Sequence, residues 1–153
     1  MSNGVTAELT VIWEQLNESI KQQMVSRGVR AANELRNAEL QVIKGQGGGR
    51  VYRVPGTKRH YTASAPGQVP AVRTGAFRLS WTPKSYVSMF GAADLTVLSE
   101  ISSMQRTDGG GYLLGEILEE GTPGGQMAPR PHQEKILDKA EPKVVRIYNE
   151  PYV

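Results

Sequence analysis

His60 and His132 are the only imidazoles in this chain of 153 residues, which contains no cysteine. Neither histidine belongs to an HExxH pair, and without thiolates neither a zinc finger nor a disulfide framework is available, so no metal and no cofactor is expected. The runs Gly47-Gly48-Gly49 and Gly109-Gly110-Gly111 lack the Gly-Lys-Ser/Thr ending of a phosphate-cradling loop and read as flexible turns. Ser64, Ser80 and Ser85 have no nucleophile-elbow context. Glu119 and Glu120 adjoin on an expected strand, where neighbours point to opposite faces and cannot act as a catalytic pair. No spacing assembles the acid, base and oxyanion donors of an active site, and the expectation is a protein that is not an enzyme.

Charge distribution says more than its sum. The formal net charge is only +3, yet every acid lies outside the stretch between Glu39 and Asp94. That stretch holds Lys44, Arg50, Arg53, Lys58, Arg59, Arg73, Arg78 and Lys84, which leaves the rest of the chain net acidic. Such asymmetry suits contact with phosphate or with an acidic protein surface. Arg50, Arg53, Lys58 and Arg59 stand in a Gly/Pro-rich setting, where cations are most often simply solvated. Facing a DNA channel or an acidic partner, they would offset charge without reading sequence. Tyr52 and Tyr61 interleave with them and could stack on unpaired bases, with packing as the plainer use.

These residues need elements to hold them. The length suits one domain over residues 1–153, with a modest core, since the hydrophobic share is 39%. The first residues lack the pattern of a signal peptide and no run reaches the ~20 apolar residues of a membrane span, so cytoplasm-like conditions are expected. Leu9, Trp13, Leu16, Ile20, Met24, Ala31, Leu35, Ala38 and Val42 recur at helical spacing, which predicts one long helix over residues 6–44, with Thr6 as N-cap, Glu8 favouring the dipole and Gly28 as a possible bend. Unbroken, it would run roughly 57 Å, too long for so small a domain, so part of its stripe must meet a folded-back element or a neighbouring subunit.

Residues 45–75 read as an extended basic loop with turn signals at Pro55-Gly56, Pro66-Gly67 and Pro70, and a possible short strand at 51–54. Antiparallel strands are expected over 76–122: one at 77–89, a turn at 91–94, a second at 95–104 and a turn at 108–111, after which residues 112–120 supply either a third strand or a short helix leading into one, with a strand favoured at 117–120. A closing helix is expected over 131–148, opened by Pro131 and kinked or split at Pro142. The order helix, loop, three to four antiparallel strands, helix places the fold in the α+β class.

The string Ser64-Ala65-Pro66-Gly67-Gln68-Val69-Pro70-Ala71-Val72-Arg73-Thr74-Gly75-Ala76-Phe77-Arg78-Leu79-Ser80 resembles the tail-component, or neck, family of long-tailed double-stranded DNA phages, in which a segment of the form SAPGxxPAxxTGxLxxS joins the loop to the first sheet strand. Downstream, Leu118-Glu119-Glu120-Gly121-Thr122 and Ala128-Pro129-Arg130-Pro131 are similar to that family's aromatic-Glu-x-Gly-Thr strand end and ARPF helix start, with Pro129 inserted and His132 in the place of the Phe. The resemblance implies a head-to-tail joining or tail-completion protein of the virion, assembled in the bacterial cytoplasm. It also implies a closed homo-oligomeric ring of six or twelve copies, touching other neck, connector or tail-tube proteins, with double-stranded DNA passing through. Within the loop, Pro66 and Pro70 would lower the entropy lost on docking, which makes Pro66, Gly67, Pro70, Arg73, Thr74 and Gly75 the candidate subunit interface. Gly75 also suits a turn that needs φ > 0, and Thr74 suits a local backbone bond. The alternative is a small basic DNA-binding protein that uses residues 44–84 for phosphate contacts.

Overall fold

A computed structural model describes residues 4–12, 18–90, 94–107 and 109–153. In chain order the elements are β1 (Gly4–Ile12), α1 (Glu18–Val42), β2 (Val51–Arg53), β3 (His60–Thr62), α2 (Ala76–Leu79), β4 (Trp81–Phe90), β5 (Asp94–Ser103), α3 (Leu114–Glu120) and α4 (Gln133–Tyr148). The fold is α+β, as expected. Strands β1, β5 and β4 form an antiparallel sheet in that spatial order, and β2 and β3 form a separate antiparallel hairpin.

The expected helix over 6–44 is two elements. Residues 4–12 are a strand paired along β5, with Val5 opposite Ile101 and Leu9 opposite Val97. Thr6 and Glu8 are therefore exposed strand residues, not a helix cap and first turn. The local alternation explains the change: Val5, Ala7 and Leu9 turn inward while Thr6 and Glu8 turn out, a two-residue period in a stretch rich in β-branched residues. Leu9 fits both the two-residue and the helical period, which is how the stripe ran on too far. Trp13 and Leu16, also assigned to that stripe, lie outside the described residues, as do the turn positions 91–93 and Asp108.

From Glu18 the helical reading holds. Met24, Ala31, Leu35 and Ala38 are buried on one face of α1. That face meets α4, β4 and β5, so the stripe is covered by folded-back elements of its own chain. Helix α4 presents Ile136, Ala140, Val144 and Ile147 to the same core and runs through Pro142 without interruption. Residues after α4 turn back along α1, where Gln23 bonds Val153, Arg30 bonds Glu150 through both guanidinium nitrogens, and Arg27 lies 3.8 Å from the Tyr152 ring centre.

The expected strand at 117–120 is helical: Leu114, Ile117 and Leu118 fall at helical spacing in α3, which ends at Gly121 with φ of 83°. The third strand of the sheet is β1 instead. The expected strand at 77–89 begins only at Trp81, after the short helix α2.

Both helices pack on one face of the sheet, and the other is left to polar side chains. Along β5, Leu95, Val97, Ser99, Ile101 and Ser103 are buried, and along β4 the outer residues Thr82, Lys84, Tyr86 and Ser88 are exposed. This one-sided burial is the usual economy of an antiparallel sheet. Lys84 sits opposite Glu100, and the Tyr86 hydroxyl donates to the same carboxylate at 3.3 Å.

Gly28 does not bend α1, which is continuous across it. A Cβ there would overlap Val97 Cγ1 and Ser85 Oγ, so the absent side chain lets helix and sheet touch. The Gly28 carbonyl accepts a hydrogen bond from Ser99 Oγ at 2.7 Å, and Ser99 Oγ also lies 2.9 Å from the Tyr148 hydroxyl, which links α1, β5 and α4. Replacing Gly28 by Ala gains up to about 1 kcal/mol of helix propensity. The overlap with the sheet costs about 1–3 kcal/mol. Gly28→Ala is expected to be net destabilising and Gly28→Val more so, as read by the urea midpoint; an unchanged or raised midpoint for both would contradict the packing described.

Candidate functional site

The acid-free stretch does not form one surface. Arg50, Arg53, Lys58 and Arg59 are exposed on the β2–β3 hairpin and the turn that joins it. That hairpin is tight: Val54 N–H donates to Arg59 O at 2.9 Å, Arg53 Nε donates to Thr57 O at 2.8 Å, and Gly56 takes a φ of 74°. Tyr52 and Tyr61 face each other across it, their rings stacked with centres 5.7 Å apart. What was expected as an extended loop is thus an ordered, cationic arm. Because a lone two-stranded hairpin is marginal in water, its anchors matter: Gly47 N–H donates to Thr62 O and Gly49 N–H to Ala63 O.

The remaining basic residues serve elsewhere. Arg78 donates to Leu40 O at 2.7 Å and lies beside Glu39, a fully buried carboxylate bonded to Arg36. Burial pushes the Glu39 carboxyl up to about 7, against the opposing pull of Arg36 and Arg78. Lys84 belongs to the outer sheet face, and Arg73 is exposed at the start of α2.

The two segments that carry the family resemblance meet. Arg130 donates from Nε to Ser64 Oγ at 2.8 Å and to Ser64 O at 3.2 Å, and Gly67 N–H donates to Pro129 O at 3.0 Å. Gln68 Oε1 accepts from Gly48 N and Ala65 N, closing the turn in which Gly67 has a φ of 81°. Pro70 is buried in its own chain, which leaves Pro66, Gly67, Arg73 and Thr74 as the exposed members of the expected interface set. Gly75 takes a φ of 86° and Thr74 Oγ1 accepts from Ala76 N at 3.2 Å, the local turn roles expected of both.

Glu119 and Glu120 share a helix, not a strand, and only Glu119 has a partner role. Its Oε2 accepts from the backbone N–H groups of His132 and Gln133 at 2.9 and 3.2 Å, supplying the N-terminal cap that α4 lacks from its own side chain. His132 is fully buried, and its ring meets those of Phe77 and Trp81 edge-on with centres 5.8 and 5.7 Å away. An imidazole therefore fills a slot built of aromatic rings. Its Nδ1 lies 3.0 Å from both Arg130 O and Glu119 Oε2, two acceptors, so Nδ1 carries the proton. Burial holds the imidazole pKa below its usual value against those two neighbours, so His132 meets Glu119 as an uncharged imidazole donor. His60, by contrast, is exposed on the hairpin arm.

Between the hairpin, residues 70–78 and residues 105–130 lies a cleft of about 590 Å³. Its walls include Ile43, Val72, Phe77, Leu114, Leu118 and Met127, together with Arg73, Arg78, Arg106 and Arg130, and among the described residues no carboxylate lines it. Arg106 had no part in the sequence-based site, because it stands beyond Asp94 and nothing in its spacing joins it to Arg73. The same holds for the Arg130–Ser64 bond.

No protein-family model, curated protein or solved structure matches this chain.

Two pH responses follow from the buried groups. His132 is easier to protonate unfolded than folded, so its contribution to stability is present above its usual pKa of 6.5 and is lost as pH falls below that. The variant His132→Phe is expected to flatten this acid limb, measured as the denaturation midpoint between pH 7 and 5; an acid limb as steep as that of the parent would contradict it. Glu39 has the opposite sign: its raised pKa gives a contribution fully present below 4.5 and lost as pH rises through about 7. Glu39→Gln is expected to remove the loss of stability between pH 4.5 and 7, and a parent-like decline in that variant would count against a carboxyl group buried neutral.

Proposed function

We propose that this chain is a structural, non-enzymatic subunit of a bacteriophage neck, forming a closed ring around the DNA channel and joining the head connector to the tail. Support comes first from the contact between residues 64–80 and 118–132. The two stretches that resemble the neck family lie far apart in sequence, yet Ser64 bonds Arg130 and Gly67 bonds Pro129. A shared structural unit accounts for both halves of the pattern at once, and this contact carries the proposal.

The hairpin arm supports the same reading. It contributes nothing to either apolar core cluster, presents Arg50, Arg53, Lys58 and Arg59 outward, and is held by backbone bonds at its base. In a ring such an arm meets an acidic surface of a neighbouring neck or tail protein, or lines the passage and offsets phosphate charge without sequence preference. Among the described residues no helix is long and apolar enough to cross a membrane. A second reading, a small DNA-binding protein, draws on the same arm because its exposed cations flank a stacked tyrosine pair.

Electron microscopy and native mass measurement of the purified chain, with mass spectrometry of phage particles, test the proposal. Closed rings and presence in particles are expected; a solitary monomer absent from every particle, or turnover of a substrate, would sink it. Replacing Arg50, Arg53, Lys58 and Arg59 together by Gln is expected to leave folding stability within about 0.5 kcal/mol, as for other exposed sites, while incorporation into particles falls. If instead the monomer binds duplex DNA, and each replacement lowers the salt slope by about one, the second reading stands.

A further inference from the structure

The arginine-rimmed cleft has a counterpart on the same chain. Helix α4 buries Ile136, Ala140, Val144 and Ile147, and on its outer side Glu134, Leu137, Asp138, Glu141 and Val145 recur at steps of three and four, which aligns them in one stripe. Leu137 and Val145 are 39% and 47% exposed. The charged members of this stripe are all acidic, while Lys135, Lys139 and Arg146 form the other side of the exposed surface of α4 and Lys143 pairs with Glu34. Among the described residues neither Glu134, Asp138 nor Glu141 has a cationic partner, and neither Arg73 nor Arg106 has an anionic one.

We infer that the cleft between the hairpin and residues 105–130 receives the outer stripe of α4 from a second copy of this chain. The inference rests on the ring-subunit reading and names its contact surfaces. Polarity and charge agree. The cleft has an aliphatic and aromatic floor, which accepts Leu137 and Val145, and the exposed rim cations Arg73 and Arg106 face the carboxylates on either side of them. A phosphodiester backbone would use the rim but has no apolar side chains for the floor, so an acidic amphipathic helix fits the cleft better than nucleic acid does. The cleft and the stripe are different surfaces of one molecule, so the contact is head-to-tail. Repetition of such a contact closes into a ring when the rotation fits.

Charge reversal of the full chain tests this by sedimentation velocity and native mass measurement. Arg73→Glu with Arg106→Glu, and separately Glu134→Lys with Asp138→Lys, are each expected to weaken self-association by about tenfold or more, towards the 16.7 kDa monomer. All four changes in one chain are expected to restore assembly, because the reversed surfaces again match. Circular dichroism and the melting temperature of each variant should equal those of the parent, since all four side chains are exposed. Parent-like assembly in both double variants, or no recovery in the quadruple variant, overturns this inference and leaves the ring reading standing. A parent chain that stays at monomer mass at every concentration, alone and in particles, overturns both. Loss of duplex DNA binding in the Arg73/Arg106 variant with assembly intact makes the cleft a nucleic-acid face and also overturns the inference.

Discussion

Helix α1 lies against the sheet at a separation set by a missing side chain. At Gly28 the helix backbone comes so near Val97 and Ser85 that any Cβ would collide, and the Gly28 carbonyl takes a hydrogen bond from Ser99 in the middle strand. With α1 seated there, α4 completes the cover of the same sheet face, and Met24, Leu35, Ile101 and Ile136 lose all contact with water. Burial of each such side chain contributes roughly 1.5–3 kcal/mol. The opposite face is left polar. The connecting segments 45–75 and 104–131 therefore have no second apolar sheet face to pack on, and hydrogen bonds join them where Arg130 donates to Ser64 and Gly67 N–H to Pro129 O.

That division between an apolar core and a polar appendage shapes the molecule's electrostatics. A run of residues without acids reads as one basic surface, yet folding disperses it. Arg78 turns inward beside the buried Glu39, Lys84 joins a cross-strand pair with Glu100, and Arg73 reaches the cleft rim. Only the hairpin cations stay together and outward. The buried groups add opposed pH dependences, since a neutral His132 favours neutral pH and a protonated Glu39 favours acid.

On the reading proposed above, the surfaces for recognition lie outside the core. The cations of the hairpin arm, Arg73 and Arg106 at the cleft and the outer stripe of α4 are exposed side chains that stabilise the monomer little, so they are free to be matched by a partner without cost to the fold. In the proposed ring such separation has a use: the core would determine where the surfaces stand, and complementary charge would set the register in which copies meet.

Much of this was legible in the sequence, because helical and turn signals are local. The stripe from Met24 to Ala38, the closing helix, the paired long strands, the glycine at position 75 and the lack of thiol chemistry each depend on residue type and on neighbours a few positions away. Tertiary structure decided the rest. Leu9 satisfies a helical and an alternating period equally, and only pairing with β5, far along the chain, makes residues 4–12 a strand. Residues 117–120 could extend or coil, and the coil was settled by Arg130 N–H bonding Leu118 O and by Glu119 capping α4. The cleft, too, gathers Arg73, Arg106 and Arg130 from three separate segments. Local periodicity reports which face of an element is apolar; it carries no information about which distant partner will cover that face, since that choice is made when the whole chain excludes water together.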